Sequence, residues 1–279
     1  MSVKVVTDSV ADLPPQIVEE MGITVIPINV RFGEKIYRDG IDLTAEQFYQ
    51  ELTHSRILPV TSVPSPGTFA AAYDKLAEET DEILAVMLSS KLSATCEVAL
   101  QSIGLMKRQC RVEVIDSGCA VMAQGFLVIA AARAALAGAK LEEIIEIVRA
   151  NIPRVDMRAA FNTLEYLRRG GRIGAAQALL GAALRINPII TLRGGLVEPV
   201  GRTRSRAKAI EHLYQFAAGY RSIEAMAVEE AACLEDADLL TDRLGSLFPK
   251  ERIYRTKTTP VIGAHTGPGL LLVSLLGDK

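Results

Sequence analysis

Short runs of β-branched and aliphatic residues alternate with helical patterns along the first half of the chain. Strands that alternate with helices predict a mostly parallel α/β sheet. The segment Ile83–Leu88 is uniformly apolar, which is typical of a strand covered on both faces. The strands predicted in this half are Val3–Thr7, Ile23–Val30, Ile83–Leu88 and Arg111–Ile115. The predicted helices are one opened by Pro14-Pro15, Thr44–Thr53, Pro66–Glu79 capped by Ser65, Ser93–Lys107 and a long alanine-rich helix.

The pattern changes near Asn151-Ile-Pro153. Strands, helices and a Gly194-Gly195 hairpin signal then follow in less regular order. At about 100–200 residues per domain, a chain of 279 residues favours two domains. The sequence therefore predicts two α/β domains, residues 1–153 with a mostly parallel sheet and residues 154–279 with a mixed sheet and helices. The strands predicted in the second part are Val155–Phe161, Pro188–Leu192, Leu196–Val200, Ile223–Val228, Arg252–Thr256 and Leu270–Leu276.

Composition excludes several classes of protein. Hydrophobic residues make up 49% of the chain, which excludes disorder. The longest apolar stretch, Cys119–Ala139, is interrupted by Gln124 and Arg133, so a buried helix is expected and not a membrane span. The first ten residues lack the pattern of a signal peptide. Four cysteines without CxxC spacing do not form a disulfide scaffold, and a reducing cytoplasm is the expected location.

Charge is distributed unevenly. Residues 154–208 hold eleven basic and three acidic residues, although the whole chain has a net charge of −2. Aromatic residues are only 5% and tryptophan is absent, so a nucleic-acid surface is not expected. We interpret the segment as a basic rim for an anionic ligand or an acidic partner. The alternative is an ordinary solvated surface.

Common catalytic and cofactor motifs are missing. The sequence contains no GxSxG, no GxxxxGK[ST] and no HExxH, and Gly267-Pro-Gly269 does not continue into a dinucleotide fingerprint. Asp236-Ala-Asp238 opens a predicted helix, where acidic residues favour the positive end of the helix dipole. Neither a metal nor a cofactor is therefore predicted.

Hydroxyl residues cluster where predicted strands lead into helices. Such junctions gather at the carboxyl edge of an open α/β sheet, where ligands bind. Free N–H groups and hydroxyls together make an anion site without lysine. For any one segment, the alternative is simple helix capping. The segments are Asp8-Ser9, Thr61-Ser-Val-Pro-Ser65, Ser89-Ser-Lys-Leu-Ser-Ala-Thr95 and Asp116-Ser117.

Two glycine-containing segments in the second half are further candidates. Leu167-Arg-Arg-Gly-Gly-Arg-Ile173 places arginines around a glycine pair, suited to binding an oxyanion. The alternative is the ordinary C-terminus of a helix. In Gly263-Ala-His-Thr-Gly-Pro-Gly269, His265 is expected in a loop shaped by glycines. His54 and His212 are interpreted as structural or surface residues.

Together these segments resemble the DegV family of bacterial fatty-acid-binding proteins. Thr61–Ser65 is similar to the family's TSxPS motif, Ser89–Thr95 to SSxLSGT and Asp116-Ser117 to its DS. Leu167–Ile173 is similar to LKKGGRI and Gly263–Gly269 to GxHTGPG. The likeness extends over essentially the whole chain, with the motifs in order. One departure is Ala94, where the family usually has glycine.

The resemblance implies a cytoplasmic lipid carrier of phospholipid metabolism, not an enzyme on its own. One long-chain fatty acid would lie in an apolar tunnel, its carboxylate bound near the domain junction. A separate ATP-dependent fatty acid kinase would then convert it to acyl phosphate. Helices Gly125–Ala139 and Ala175–Leu184 could line the tunnel, although core is their default role. Matched by motif, the carboxylate-binding residues are Thr61, Ser62, Ser93, Thr95, Arg172 and His265.

Two other functions remain open at this point. The chain could be an acyl hydrolase or transferase that uses Ser93 or Ser62 with His265 as the base. It could also be a small-molecule sensor that shares the fold and not the lipid. Within the basic segment, Arg202, Arg204 and Arg206 are predicted to dock an acidic kinase partner.

Overall fold

The computed structural model describes residues 2–55, 57–180 and 186–279. Within these ranges the chain forms thirteen strands, which are arranged in three sheets, and ten α-helices. The strands before residue 153 and those after it belong to separate sheets. The mixed α/β class, with a parallel sheet in the first part and a mixed sheet in the second, is as predicted. The division into two domains at residue 153 remains a proposal.

The first sheet is entirely parallel. Its strands are β1 (Lys4–Asp8), β2 (Thr24–Ile26), β6 (Glu82–Met87) and β7 (Arg111–Asp116), in the order β2-β1-β6-β7. After β1 the chain runs outward to β2, and it later returns on the other side of β1 as β6. The boundary between β1 and β6 is therefore a topological switch point, where parallel sheets bind ligands at their carboxyl ends.

A small antiparallel sheet corrects two predictions. It consists of β3 (Asn29–Phe32), β4 (Lys35–Arg38) and β5 (Val60–Ser62), in the order β4-β3-β5. The single strand predicted over Ile23–Val30 is thus two strands in different sheets, because Pro27 lies between them and has no N–H group for a ladder. Thr61 and Ser62 lie within β5, so this pair does not follow a strand of the parallel sheet.

The second large sheet contains the strands of the C-terminal half. Its order is β10-β9-β8-β13-β11-β12, and only the β11–β12 pair is parallel. Gly194-Gly195 forms the predicted hairpin, with Leu196 paired to Arg193. The strands are β8 (Val155–Ala160), β9 (Asn187–Arg193), β10 (Leu196–Thr203), β11 (Ser222–Glu230), β12 (Tyr254–Lys257) and β13 (Leu271–Asp278).

The second, third and eighth α-helices begin at a capping hydroxyl residue whose side chain accepts an N–H of the first turn. Thr44 Oγ1 accepts the Gln47 N–H, and Ser65 Oγ accepts the Thr68 N–H. The helix predicted over Ala175–Leu184 is a short 3-10 helix at Gly174–Leu179, and residues 181–185 lie outside the described ranges. The α-helices are α1 (Pro15–Glu20), α2 (Ala45–His54), α3 (Pro66–Leu76), α4 (Thr95–Gln101), α5 (Val121–Leu136), α6 (Leu141–Asn151), α7 (Glu165–Arg169), α8 (Arg206–Ala218), α9 (Leu234–Leu244) and α10 (Pro260–Thr266).

Helix α5 lies between the two large sheets. It packs on β1 and β6 on one side and on β8, β11 and β13 on the other. A helix covered on both sides has to be apolar all round, which explains the stretch Cys119–Ala139. Its polar residue Gln124 is buried and donates from Nε2 to Thr7 Oγ1. Among the described residues, no helix is long and apolar enough to cross a membrane.

Candidate functional site

A cavity opens at the switch point between β1 and β6. The space open to the centre of a water molecule is about 130 Å³. A single water needs about 10–15 Å³ on this measure, so the cavity is far larger than a packing defect. Its walls come from the loops after β1 and β6, from the start of α5 and from α10, and from the mixed sheet. Most of the lining is aliphatic or aromatic: Val10, Ile28, Val63, Leu88, Leu92, Ala120, Val121, Met157, Ala159, Phe161, Leu167, Ile190, Leu192, Val197, Val261, Ile262, Leu270 and Leu272.

A few polar side chains complete this lining. They come from β5, from the loop after β6, from the segment after α7 and from α10, so four separate parts of the chain contribute. Five of the six residues predicted to bind the carboxylate are among them. The sixth, Thr95, is fully buried and does not line the cavity. The polar lining residues are Thr61, Ser62, Ser93, Arg172, His265 and Thr266.

Thr61 and His265 are hydrogen-bonded. The distance between Thr61 Oγ1 and His265 Nε2 is 2.9 Å, and the donor depends on the tautomer of the imidazole. The prediction that His265 lies in a loop is wrong, because it lies in the last turn of α10. Pro260 is compatible with the first helical position, and Gly267, at φ +69°, ends the helix.

The surroundings of His265 keep its ring neutral. Burial, together with the positive charge of Arg172, lowers the pKa of His265 to about 4. The imidazole is therefore uncharged near pH 7. Its Nδ1 atom is buried and has no hydrogen-bond partner among the described residues.

Ser93 is supported by its own neighbour. Ser93 Oγ lies 2.8 Å from Thr95 Oγ1, and it also accepts the Thr95 N–H at 3.4 Å. Thr95 thus helps to orient the Ser93 hydroxyl and does not itself line the cavity. The intervening Ala94 has φ −75°, which any residue adopts, so alanine in place of the usual glycine introduces no backbone strain.

Two aspartates hold the loop that carries Ser93. Asp8 Oδ2 accepts the Leu88 N–H at 2.8 Å, and Asp116 Oδ1 accepts the Ser90 N–H at 3.2 Å. Neither aspartate lines the cavity. On the other side of the loop, Ser89 Oγ donates to Gly195 O at 2.8 Å, an approach so close that a Cβ at Gly195 would lie 2.4 Å from Ser89 Oγ.

Arg172 is fixed by backbone carbonyls. Its Nε donates to Leu92 O at 3.0 Å and its Nη1 to Gly170 O at 2.6 Å. Arg168 and Arg169 both pair with Glu165, whereas Arg172 has no ion-pair partner in the described part of the chain. The guanidinium therefore keeps its charge available to an anion in the cavity.

The three arginines predicted to dock a partner differ in their surroundings. Arg202 and Arg204 are exposed and form no ion pair among the described residues. Arg202 follows the cavity residue Val197 by five positions, roughly 17 Å along β10. Arg206, in contrast, is half-buried, and it donates to Asp236 Oδ2 at 2.8 Å and to Gly269 O at 2.9 Å. Its placement indicates a structural role, so we do not include it in the docking surface.

The other two histidines lie outside the cavity. His54 is exposed at the end of α2, with Nδ1 2.8 Å from Gln50 O. His212 is half-buried in α8, where burial lowers its pKa. Among the described residues, no three His, Cys, Asp or Glu side chains are arranged to hold a metal ion, and the four cysteines are free.

Sequence reasoning missed a group of buried acidic residues. Asp12, Asp39 and Glu229 are each at most 3% exposed. Burial raises the pKa of Asp39 to about 7, and it raises the pKa of Asp12 as well. Asp12 and Asp39 lie between elements, where an exposed turn residue is the usual interpretation. No local pattern in the sequence distinguishes a buried turn aspartate from an exposed one.

Sequence comparisons identify related proteins over the full length of the chain. The family model described as "Uncharacterised protein, DegV family" matches residues 2–277. A DegV domain-containing protein of Streptomyces coelicolor is 38% identical over 275 residues, 96% of each chain. Protein DegV of Bacillus subtilis is 33% identical over 276 residues, which is 97% of this chain and 98% of that protein.

Two solved structures have the same fold. One is a DegV family protein from Thermus thermophilus, described as binding fatty acid, with a TM-score of 0.90, 32% identity and 99% and 100% of the two chains covered. The other is DegV from Bacillus subtilis, described as a fatty acid binding protein, with a TM-score of 0.90, 31% identity and full coverage of both chains. Family model, relatives and structures agree: the chain belongs to the DegV family.

Proposed function

We propose that this protein binds one long-chain fatty acid, with the acyl tail in the apolar cavity and the carboxylate at Thr61, Ser93, Arg172 and His265. The observation that carries the proposal is the cavity itself, which is mostly apolar and has its few polar side chains contributed by the predicted segments. Relatives from Thermus thermophilus and Bacillus subtilis that bind fatty acids support it.

The tail and the head group contribute in different ways. Burial of an acyl chain contributes about 0.8 kcal/mol per CH₂ group, so the tail supplies most of the affinity. The carboxylate then has to be hydrogen-bonded, since an unpaired buried charge is very costly. The charge of Arg172 and the hydroxyl groups meet this requirement, and the neutral His265 adds no second cation.

Each head-group hydroxyl has a second donor behind it. If His265 carries its proton on Nε2, it donates to Thr61 Oγ1, and the Thr61 O–H is free to donate to the carboxylate. This tautomer leaves only an acceptor at the partnerless Nδ1, and buried unpaired acceptors are less rare than buried unpaired N–H groups. Thr95 can donate to Ser93 Oγ in the same way, which frees the Ser93 O–H for the ligand.

We further propose that the protein is the non-catalytic, acyl-carrying subunit of a fatty acid kinase. Two N–H groups of Arg172 already donate to backbone carbonyls, so Arg172 and the hydroxyl donors hold the carboxylate without a bidentate ion pair. A carboxylate oxygen can therefore still attack the γ-phosphorus of ATP on a separate subunit. The O–P bond of acyl phosphate forms as the bond to ADP breaks. The exposed Arg202 and Arg204 would contact an acidic surface of that kinase.

The hydrolase alternative lacks the contacts it needs. A serine nucleophile has to be within hydrogen-bond reach of its base, and the base is oriented by a third group. Among the described residues, His265 is bonded to Thr61 and not to Ser62 or Ser93. A carboxylate partner on Nδ1 is also missing from this part of the chain. A steady release of product from acyl esters would nevertheless favour the enzyme.

Denaturing extraction of the purified protein, followed by mass spectrometry, tests the proposal. A stoichiometric long-chain fatty acid is expected. Ser93→Ala should reduce the amount retained, since it removes one donor to a buried carboxylate, worth about tenfold in affinity. Ser90→Ala is the matched control, because Ser90 is exposed in the same loop and does not line the cavity.

The outcomes separate the possible functions. A protein that contains no lipid and takes up no added fatty acid would refute lipid binding and favour the small-molecule sensor. Equal lipid content in the two serine variants would refute the head-group assignment alone. For the kinase step, reversing the charges of Arg202 and Arg204 should reduce phosphorylation by a cognate kinase and leave the lipid content intact.

A further inference from the structure

Two buried aspartates lie at the N-terminal end of α10, the helix that carries His265. Asp12 Oδ1 accepts the Thr259 N–H at 3.0 Å, and Asp39 Oδ1 accepts the Val261 N–H at 3.3 Å. The exposed fractions of Asp12 and Asp39 are 3% and 2%. Both come from the N-terminal half of the chain, Asp12 after β1 and Asp39 after β4, so they join that half to a helix of the C-terminal half.

Helix α10 needs such acceptors. It has only seven residues, and helices this short are not stable alone. The first N–H groups of a helix have no partner within it. Thr259, at the N-cap position, makes no side-chain capping bond, and Pro260 has no N–H group to offer. The carboxyl groups of Asp12 and Asp39 therefore satisfy two of the N–H groups at this end, those of Thr259 and Val261.

The middle of α10 packs closely on α2. A Cβ at Gly263 would lie 2.4 Å from Phe48 Cε1 of α2, so the two helices are in direct contact. Val261 and His265 are four residues apart, one turn and about 6 Å along the axis, on the same face of the helix. A displacement of the first turn is consequently transmitted to the His265 ring.

We propose that Asp12 and Asp39 are positioning residues of the head-group site, because they fix the first turn of α10 and thereby place His265 Nε2 against Thr61 Oγ1. This inference deepens the proposed fatty-acid binding and rests on it for its effect on affinity. Neither aspartate lines the cavity, so both act through α10 and not on the ligand itself.

The cost of this arrangement agrees with a functional role. Asp12 Oδ2 and Asp39 Oδ2 are buried without a hydrogen-bond partner among the described residues. Burial and the nearby Glu229 carboxyl group both raise the pKa of Asp12, and Glu229 Oε2 accepts the Met122 N–H at the start of α5. Buried acids near one another destabilise a fold. Such local cost is typical of groups that position a functional site.

Nitrogen NMR of the imidazole rings tests the proposal directly. The chain has only three histidines, so ¹⁵N-histidine labelling gives three ring systems that His54→Gln and His212→Gln assign. Asp39→Ala is expected to shift the His265 Nε2 signal and to weaken fatty-acid binding by about tenfold, the effect of one head-group hydrogen bond. The signals of His54 and His212 should stay in place.

Two further variants separate positioning from general destabilisation. Asp39→Asn keeps an acceptor oxygen and loses the charge, so it should restore both the His265 signal and the affinity. Asp74→Ala is the matched control, since Asp74 lies in α3 and its Oδ1 accepts the Lys107 and Arg108 N–H groups at 2.9 Å and no N–H group of α10. It should change stability and leave the His265 signal alone.

Each outcome decides something. An Asp39→Ala protein with an unchanged His265 signal and unchanged affinity would overturn the proposal. If that variant does not fold, Asp39→Asn decides. A shifted His265 signal in Asp39→Asn would contradict the proposal, because this variant keeps the acceptor oxygen that is proposed to fix the first turn of α10. The NMR signal needs no ligand, so a shift in a protein that binds no fatty acid would refute the proposed function and retain the positioning role.

Discussion

Thr61 and His265 are 204 positions apart in the chain, and their Oγ1 and Nε2 atoms are 2.9 Å apart. Thr61 belongs to the small antiparallel sheet and His265 to a helix of the C-terminal half. Their hydrogen bond thus depends on the packing of the two halves against each other. A head-group site built this way is assembled only in the folded protein, and it is sensitive to any change that moves α10.

Gly170→Ala is expected to displace His265. A Cβ at Gly170 would lie 2.3 Å from His265 Nδ1, closer than atoms approach without a shift. Gly170 has φ −72°, so the effect is steric and involves no backbone strain. We expect a loss of about 1–3 kcal/mol in the free energy of unfolding, together with weaker fatty-acid binding.

Thermal unfolding and a fatty-acid displacement assay measure these two effects. Gly104→Ala is the control, since a Cβ at Gly104 meets no atom within 4 Å and φ is not positive there. Wild-type affinity in Gly170→Ala would show that the His265 ring can move without consequence for the ligand.

A larger side chain at Val197 is expected to exclude the acyl tail. Val197 is 4% exposed and lines the cavity, so the phenyl ring of Val197→Phe can enter empty space. We expect lipid content to fall, or the bound chains to become shorter, with a stability change below about 1.5 kcal/mol.

Val273→Phe is the matched comparison. Val273 is fully buried in β13 and does not line the cavity, so the added ring has no space, and a loss of about 1–3 kcal/mol is expected. Mass spectrometry of extracted lipid and urea unfolding distinguish the two variants. Unchanged lipid in Val197→Phe would mean that the tail lies elsewhere.

The alternation of strands and helices was enough to predict the fold class. Both the parallel sheet and the mixed sheet follow from local patterns, and so does the Gly194-Gly195 hairpin. The error at Ile23–Val30 has a local cause, because Pro27 cannot donate to a ladder and ends β2. The helix at His265 was missed because its glycines suggested a loop, whereas Gly263 permits close packing on α2.

The candidate site could be predicted in part. Hydroxyl-rich segments and a glycine-flanked histidine were visible as motifs, and the structure places Thr61, Ser93, Arg172 and His265 around one cavity. The acidic residues behind the site were not visible. Burial of an aspartate is decided by the packing of distant segments. The sequence around Asp39 does not indicate that α10, more than 200 positions away, packs against it.

Stability is expected to depend on pH through Asp39. Burial raises its pKa from 3.8 to about 7, so between these values the folded protein holds a proton that the unfolded chain releases. The stabilisation from this group is therefore present below pH 4 and is lost as the pH rises to about 7. Asp39→Asn removes the titration, and its stability relative to wild type should increase over this range, by on the order of 4 kcal/mol for a shift of about three pKa units.

Urea unfolding of both proteins at several pH values from 4 to 8 measures this difference. The comparison with wild type is needed because Asp8, whose pKa burial raises to about 6, titrates in both proteins. A difference between variant and wild type that is the same at every pH would contradict the assignment of the raised pKa to Asp39.

Replacing Arg206 is expected to lower stability, whereas replacing Arg204, two positions away, is expected to leave stability unchanged and to weaken phosphorylation. Arg206 joins α8 to Asp236 of α9 and to the carbonyl of Gly269. Arg206→Ala removes these bonds and leaves Asp236 without its cation, which should cost about 1–3 kcal/mol in the free energy of unfolding. Arg204→Ala changes an exposed side chain and should cost less than about 0.5 kcal/mol.

Urea unfolding of the two variants checks the stability difference, and an assay with a cognate kinase checks whether phosphorylation of the bound fatty acid is reduced. Reduced phosphorylation in Arg204→Ala at unchanged stability would support docking at Arg204, whereas a stable Arg206→Ala protein would contradict the structural role of Arg206.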